Sequence, residues 1–104
     1  MEERKRFGEW LEIIALVLYE AGKPLYNKEI EQNQIVRRYI SESGKKLRRL
    51  SGIISKTLNT HSEQGISNDK GRREPYIFGK DRHGRWFLNE QGRQMVKKGR
   101  GHYG

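Results

Sequence analysis

The sequence predicts an α+β domain of three helices followed by a β-hairpin, and three observations lead there. Apolar residues recur at three- and four-residue spacing through much of the first sixty positions. Two aromatic-rich runs, Tyr76-Ile77-Phe78 and Trp86-Phe87-Leu88, flank the turn-forming segment GKDRHG at 79–84. The length, 104 residues, suits one compact domain, and its core is small because Leu, Ile, Val and Phe together number 23.

Residues 1–6 are charged and expected to be flexible; the domain proper is assigned to 7–96. The first helix is placed at 7–21, where Trp10, Ile13, Ile14, Val17, Leu18 and Ala21 share one face. Gly22 stops it and Pro24 reinforces the stop. Pro24-Leu25-Tyr26 reads as extended, as a short strand would be. Asn27 is a suitable N-cap with Glu29 in the first turn, so a second helix is placed at 28–41, turning Ile30, Ile35, Val36, Tyr39 and Ile40 inward. A third helix is placed at 46–62, with Leu47, Leu50, Ile53, Ile54, Leu58 and His61 on its inner face. Residues 64–75 hold two glycines, Asn68-Asp69 and Pro75, which mark a loop. The hairpin follows at 76–88, then a short helix, and 97–104 is expected to be a disordered basic tail. Helix, short strand, helix, helix and hairpin, in that order, make a winged helix-turn-helix: a three-helix core plus a C-terminal β-hairpin wing.

Charge is the second source of information. Basic residues number 22 against 13 acidic ones, for a net charge of +9. Residues 1–44 hold seven basic and eight acidic side chains, whereas 45–104 hold fifteen and five. An excess confined to one part of a small domain points to a polyanionic partner, the competing explanation being an ordinary solvated surface. No run of 18 apolar residues exists, so no membrane span is expected. The N-terminus mixes both charge signs, and the apolar run after it contains Glu12 and lacks a small-residue cleavage site, which argues against a signal peptide. An intracellular location is therefore expected.

The third helix carries that excess in a pattern. At 100° per residue, Lys45, Arg48, Arg49, Gly52, Lys56 and Asn59 fall opposite the apolar stripe, with Ser55 at the edge. Lys46 lies in its first turn. In a helix-turn-helix this outer face enters the major groove. Arg and Lys can donate to guanine O6 and N7, and Asn can pair with adenine N6 and N7. Gly52 weakens the helix by about 1 kcal/mol against Ala, and a glycine there lets a nucleic-acid backbone approach closely, unless it only marks a kink or tight helix packing. Lys70, Arg72 and Arg73 add charge to the loop, and Lys80, Arg82, His83 and Arg85 line the hairpin turn, where wings meet phosphates or the minor groove. Trp10, Tyr39, Tyr76, Phe78, Trp86 and Phe87 stand at helical or alternating spacing, which assigns them to the core rather than to base stacking.

KPLYNKEI at 23–30 resembles the proline, leucine, two residues, Glu-Ile opening of the helix-turn-helix in winged-helix domains attached to restriction endonucleases and chromatin proteins, the group often called HARE-HTH. ISKTLNTHS and YIFGKDRHGRWFLNEQG are similar to that family's third helix and hairpin, and FLNEQGRQMV resembles the ending of winged helices that precede Mrr-type nucleases. The likeness spans about residues 7–96. It departs where Lys45-Lys46-Leu47 replaces the common Thr-Pro helix start. The resemblance implies a targeting module of a restriction-type nuclease, or a free regulator, with a sensor of modified bases such as methylated cytosine among its forms.

Catalytic signals are absent from the sequence. There is no cysteine, hence no disulfide, thiol nucleophile or Cys-ligated zinc. His61, His83 and His102 lack zinc-ligand spacing. Asp69, Glu74 and Asp81 lack the carboxylate-x-Lys context of a nuclease, and no Ser-His-Asp or phosphate-loop motif occurs. The expectation is a non-enzymatic domain, with no metal or cofactor, that binds double-stranded DNA. Its rivals are a protein-interaction winged helix, an RNA or single-strand binder, and a small nuclease.

Overall fold

The structure, a computed structural model, describes residues 9–43, 49–63, 65–66 and 71–103, and side chains within 10–42, 49–63, 65–66 and 71–99. Among the described residues, five helices and a two-stranded antiparallel sheet form a small α+β domain: α1 (Glu9–Ala21), α2 (Asn27–Glu31), α3 (Gln34–Ser43), α4 (Leu50–Thr60), β1 (Phe78–Lys80), β2 (Trp86–Leu88) and α5 (Glu90–Tyr103).

Helix α1 is the central element, as its apolar run leads one to expect, but its buried face is rotated from the predicted one. Leu11, Ile14, Ala15, Val17 and Leu18 are buried, while Trp10 and Ile13 are half-exposed. Gly22, at φ 67°, ends it by donating its N–H to the Leu18 carbonyl.

The helix expected at 28–41 is two helices. Asn33 divides them: its N–H closes α2 on the Ile30 carbonyl, and its side-chain oxygen accepts the Ile35 N–H at 2.8 Å to cap α3. An Asn after one turn of helix competes with the backbone for its own hydrogen bonds, which periodicity alone does not register. Asn27 is not the cap of α2. Tyr26 precedes the helix, and Glu29 reaches back to accept the Tyr26 N–H at 2.8 Å.

Helix α4 spans Leu50–Thr60, so that Arg49, His61 and Ser62 of the expected 46–62 helix fall outside it; residues 46–48 lie outside the described set. Its C-terminal end is held by His61 and Ser62. The Ser62 hydroxyl donates to the Asn59 carbonyl at 2.8 Å, and the His61 ring Nδ1 lies 3.0 Å from the Arg73 carbonyl and 3.1 Å from that of Pro75. Two carbonyl partners put the proton on Nδ1.

The hairpin is displaced by two residues on its first strand. Phe78 pairs with Leu88, Gly79 with Phe87 and Lys80 with Trp86, which leaves Asp81–Arg85 as the loop. Tyr76 and Ile77 are not part of β1: the Ile77 carbonyl still accepts the N–H of Asn89 opposite it, but the Ile77 N–H is taken by the His61 carbonyl. Leu25 forms an isolated antiparallel bridge to Trp86, with N–H to carbonyl distances of 2.8 and 2.7 Å, so Leu25 lies on the far side of β2 from β1. At Gly79 an added Cβ would strike the ring of Phe87, and at Gly92 it would come within 2.6 Å of Leu88 Cδ1 and 3.0 Å of Ile77 Cβ. Both glycines are required by close packing of the sheet.

Asn89 caps α5, accepting the Gly92 N–H while its amide reaches Glu63 and the Tyr76 carbonyl. The helix continues to Tyr103, through the 97–104 segment expected to be a tail. The core joins α1, α2, α3, α4, the hairpin and α5 through Ile14, Ile30, Val36, Ile54, Ile77, Phe78, Trp86 and Val96. Among the described residues no helix is long and apolar enough to cross a membrane.

Candidate functional site

The predicted site residues separate into those that brace the fold and those that project from it. On α4, Ile54 and Leu58 are fully buried and fix the opposite face outward. Gly52 and Lys56 are exposed there, with Ser55 and Asn59 at the half-buried margins, and at helical spacing these four lie within about a third of the circumference. Arg49, expected on this helix face, instead precedes the helix at φ −120° and ψ 46°, and is exposed. No acidic residue occurs in α4. Lys45, Lys46, Arg48 and Lys70 lie outside the described residues.

Among the described residues Gly52 packs against nothing closely: a Cβ built on it would meet only the Arg49 Cβ, at 3.9 Å, an ordinary contact. Asn59 is partly committed, its amide donating to the Ser55 carbonyl at 2.9 Å.

Two of the loop and wing cations turn inward. Arg72 donates to the Ser62 carbonyl at 3.0 Å and lies 4.9 Å from the centroid of the Tyr76 ring. Arg85 pairs through Nε with Asp81 at 2.9 Å. Lys80 belongs to β1 rather than to the turn, and its ammonium stands over the Trp86 ring at 4.9 Å. Arg73, Arg82 and His83 are exposed, and among the described residues their side chains have no hydrogen-bond or ion-pair partner.

Asp81 organises the hairpin tip. One carboxylate oxygen accepts the N–H groups of His83 and Arg85, both at 2.9 Å, and the other accepts the Arg85 guanidinium. Desolvation opposes its ionised form, but these donors outweigh it and hold the carboxyl below its ordinary value. Gly84, at φ 86°, completes the turn in a conformation that L side chains rarely adopt. Arg82 and His83 are thus presented on a preformed loop. Arg85, expected among the contacts, is instead held by Asp81, a pairing whose signal in the sequence is the Asp-x-x-x-Arg spacing across a turn.

His61 is buried at the joint between α4 and the 71–77 segment. Burial lowers its pKa, the carbonyls of Pro75 and Arg73 act against this, and the nearby Arg73 charge adds to the lowering. Its ring ties the end of α4 to the Arg73 and Pro75 carbonyls. Among the described residues no group of three His, Asp or Glu side chains is placed to hold a metal ion.

No family model, curated protein or solved structure matches the chain.

Proposed function

We propose that the chain is a winged helix-turn-helix domain that binds double-stranded DNA, with the outer face of α4 in the major groove and the 81–85 turn along the backbone. The observation that carries this reading is the sorting of cations. Arg72, Arg85 and Arg93 are engaged by protein acceptors, whereas the exposed side chains of Arg49, Lys56, Arg73 and Arg82 have no ion-pair partner among the described residues. Unpaired cations on a helix face and an adjoining hairpin are an electrostatic footprint for phosphates. The sheet order supports the same reading, because a strand-like Leu25 flanking the second hairpin strand is the arrangement of a winged helix. The role as a targeting module of a nuclease, or as a sensor of a modified base, belongs to this proposal through the resemblance of the 23–30 and 76–96 segments.

The test is fluorescence anisotropy with duplex DNA, single-stranded DNA and RNA of matched length across a salt series. Neutralising several phosphates on a duplex gives a slope of log affinity on log salt of about −0.9 per phosphate, so a value steeper than about −2 is expected. Tighter binding to single strands would transfer the site to another class of nucleic acid. Absence of binding at low salt would reject the reading in favour of a protein-interaction module. A selection from random duplexes, with and without cytosine methylation, then separates a sequence reader from a modified-base sensor.

A further inference from the structure

We infer that the groove between α1 and α3 is a two-fold contact surface for a second copy of this chain. The groove encloses about 330 Å³ and is lined by Ile13 and Leu16 of α1 and by Ile35 and Tyr39 of α3. All four remain half-exposed, although each packs against the core or, for Tyr39, against the edge of Trp10 at a centroid distance of 5.1 Å. Arg38 and Glu42 stand along its α3 rim.

The identity of the occupant follows from that rim. Arg38 and Glu42 are one turn apart on α3, and both are exposed. Neither has an ion-pair partner among the described residues, including each other. A cation N-terminal to an anion is the weaker order for pairing within a helix, so both charges stay available to a partner. A cation and an anion on one helix form a self-complementary pair. A two-fold axis across α3 lays it antiparallel to its copy, and Arg38 then meets the partner's Glu42 while Glu42 meets the partner's Arg38. The apolar groove supplies the centre of such a contact and the two ion pairs its polar edge. Electrostatics also favours this side. Helices α1 and α3 lie in the near-neutral first 44 residues, whereas the rest of the chain carries the positive excess that keeps copies apart. This inference stands independently of nucleic-acid binding.

Sedimentation of the 104-residue chain, without DNA, over a concentration series tests it. A reversible monomer–dimer equilibrium is expected. Arg38→Glu or Glu42→Arg alone places like charges opposite one another twice per dimer and is expected to weaken association about tenfold. An equimolar mixture of these two variants restores complementary pairs and is expected to regain the parent's affinity as a heterodimer. Leu16→Glu is expected to abolish association; circular dichroism establishes that it folds, and the charge variants, being on exposed positions, report even if it does not. A chain that stays monomeric to about 1 mM overturns the inference. So does a parent-like equilibrium in both single variants, or a mixture that remains as weak as its components.

Discussion

Gly52 is the third residue of α4, on an exposed face, and that position can be interrogated with one methyl group. Replacing a helix-interior glycine by alanine removes backbone entropy from the unfolded chain, and the open space around Gly52 imposes no clash. Gly52→Ala is expected to raise unfolding free energy by up to about 1 kcal/mol in urea titrations. The same methyl group occupies the centre of the proposed DNA-facing surface and is expected to weaken duplex affinity. Opposite signs in the two measurements distinguish an interface glycine from an incidental one; unchanged binding would remove Gly52 from the interface. His61 offers a second residue-scale test. Its folded-state pKa is lowered by burial, so the unfolded chain binds the proton more readily. Stability is therefore expected to fall as pH drops below about 6.5, the ordinary imidazole value, and to level off below the folded-state pKa. The carboxyls of Asp81 and Glu90 are held low by their hydrogen-bond donors and lose their contributions only in the more acidic carboxylate range. Urea denaturation between pH 7 and 5 checks the assignment, since the slope in that window should flatten in His61→Gln.

At the scale of elements, the 81–85 turn separates two arginines that sequence alone treats as equals. Arg82 projects from the turn, whereas Arg85 is bound to Asp81 within it. Arg82→Ala is expected to leave the melting temperature nearly unchanged and to lower the salt slope of DNA binding by about one unit. Arg85→Ala is expected to loosen the loop, which hydrogen exchange of the Asp81 and Gly84 amides would register, and to affect binding only through that loosening. If both variants change the salt slope equally, the turn is not sorted as its hydrogen bonds indicate. How much of this was legible before the structure differs by element. Helix α1 and its stop at Gly22 are written in periodicity and in a residue that tolerates positive φ. The hairpin is written in its aromatics, but where its first strand begins is not, because the carbonyl of His61, distant in sequence, captures the Ile77 N–H. The division of the second helix was missed because a capping Asn and a helical Asn look alike until the Ile35 amide is seen to turn toward it. The outer face of α4 was legible because helical geometry places its residues with no tertiary information. Which cations remain free was not, because that depends on acceptors such as Asp81 and the Ser62 carbonyl that only the folded chain brings near.

Across the whole molecule, the two parts of the chain divide the work unevenly. The first 44 residues supply α1, α2 and α3 with almost no net charge, and the remainder supplies the basic surface and the hairpin. The pairing of Leu25 with Trp86 joins these parts at the level of the backbone, and it makes the hairpin a wall of the core, since Phe78, Trp86 and Leu88 are all buried. A hairpin hung on the outside of a domain could open and close by itself. One sealed to residue 25 on one edge and to residue 62 on the other can part only if the interior parts with it. The amides of Leu25, Trp86 and Glu63 are accordingly expected to exchange with the free energy of global unfolding, while Gly84 at the tip exchanges through small local openings. Faster exchange at Trp86 than at Leu58 would mean that the hairpin is a separate cooperative unit. Otherwise the domain behaves as a single latch: the turn that carries Arg82 rests on a base as firmly held as the core itself, and a force at the tip is transmitted to the interior without an intervening hinge.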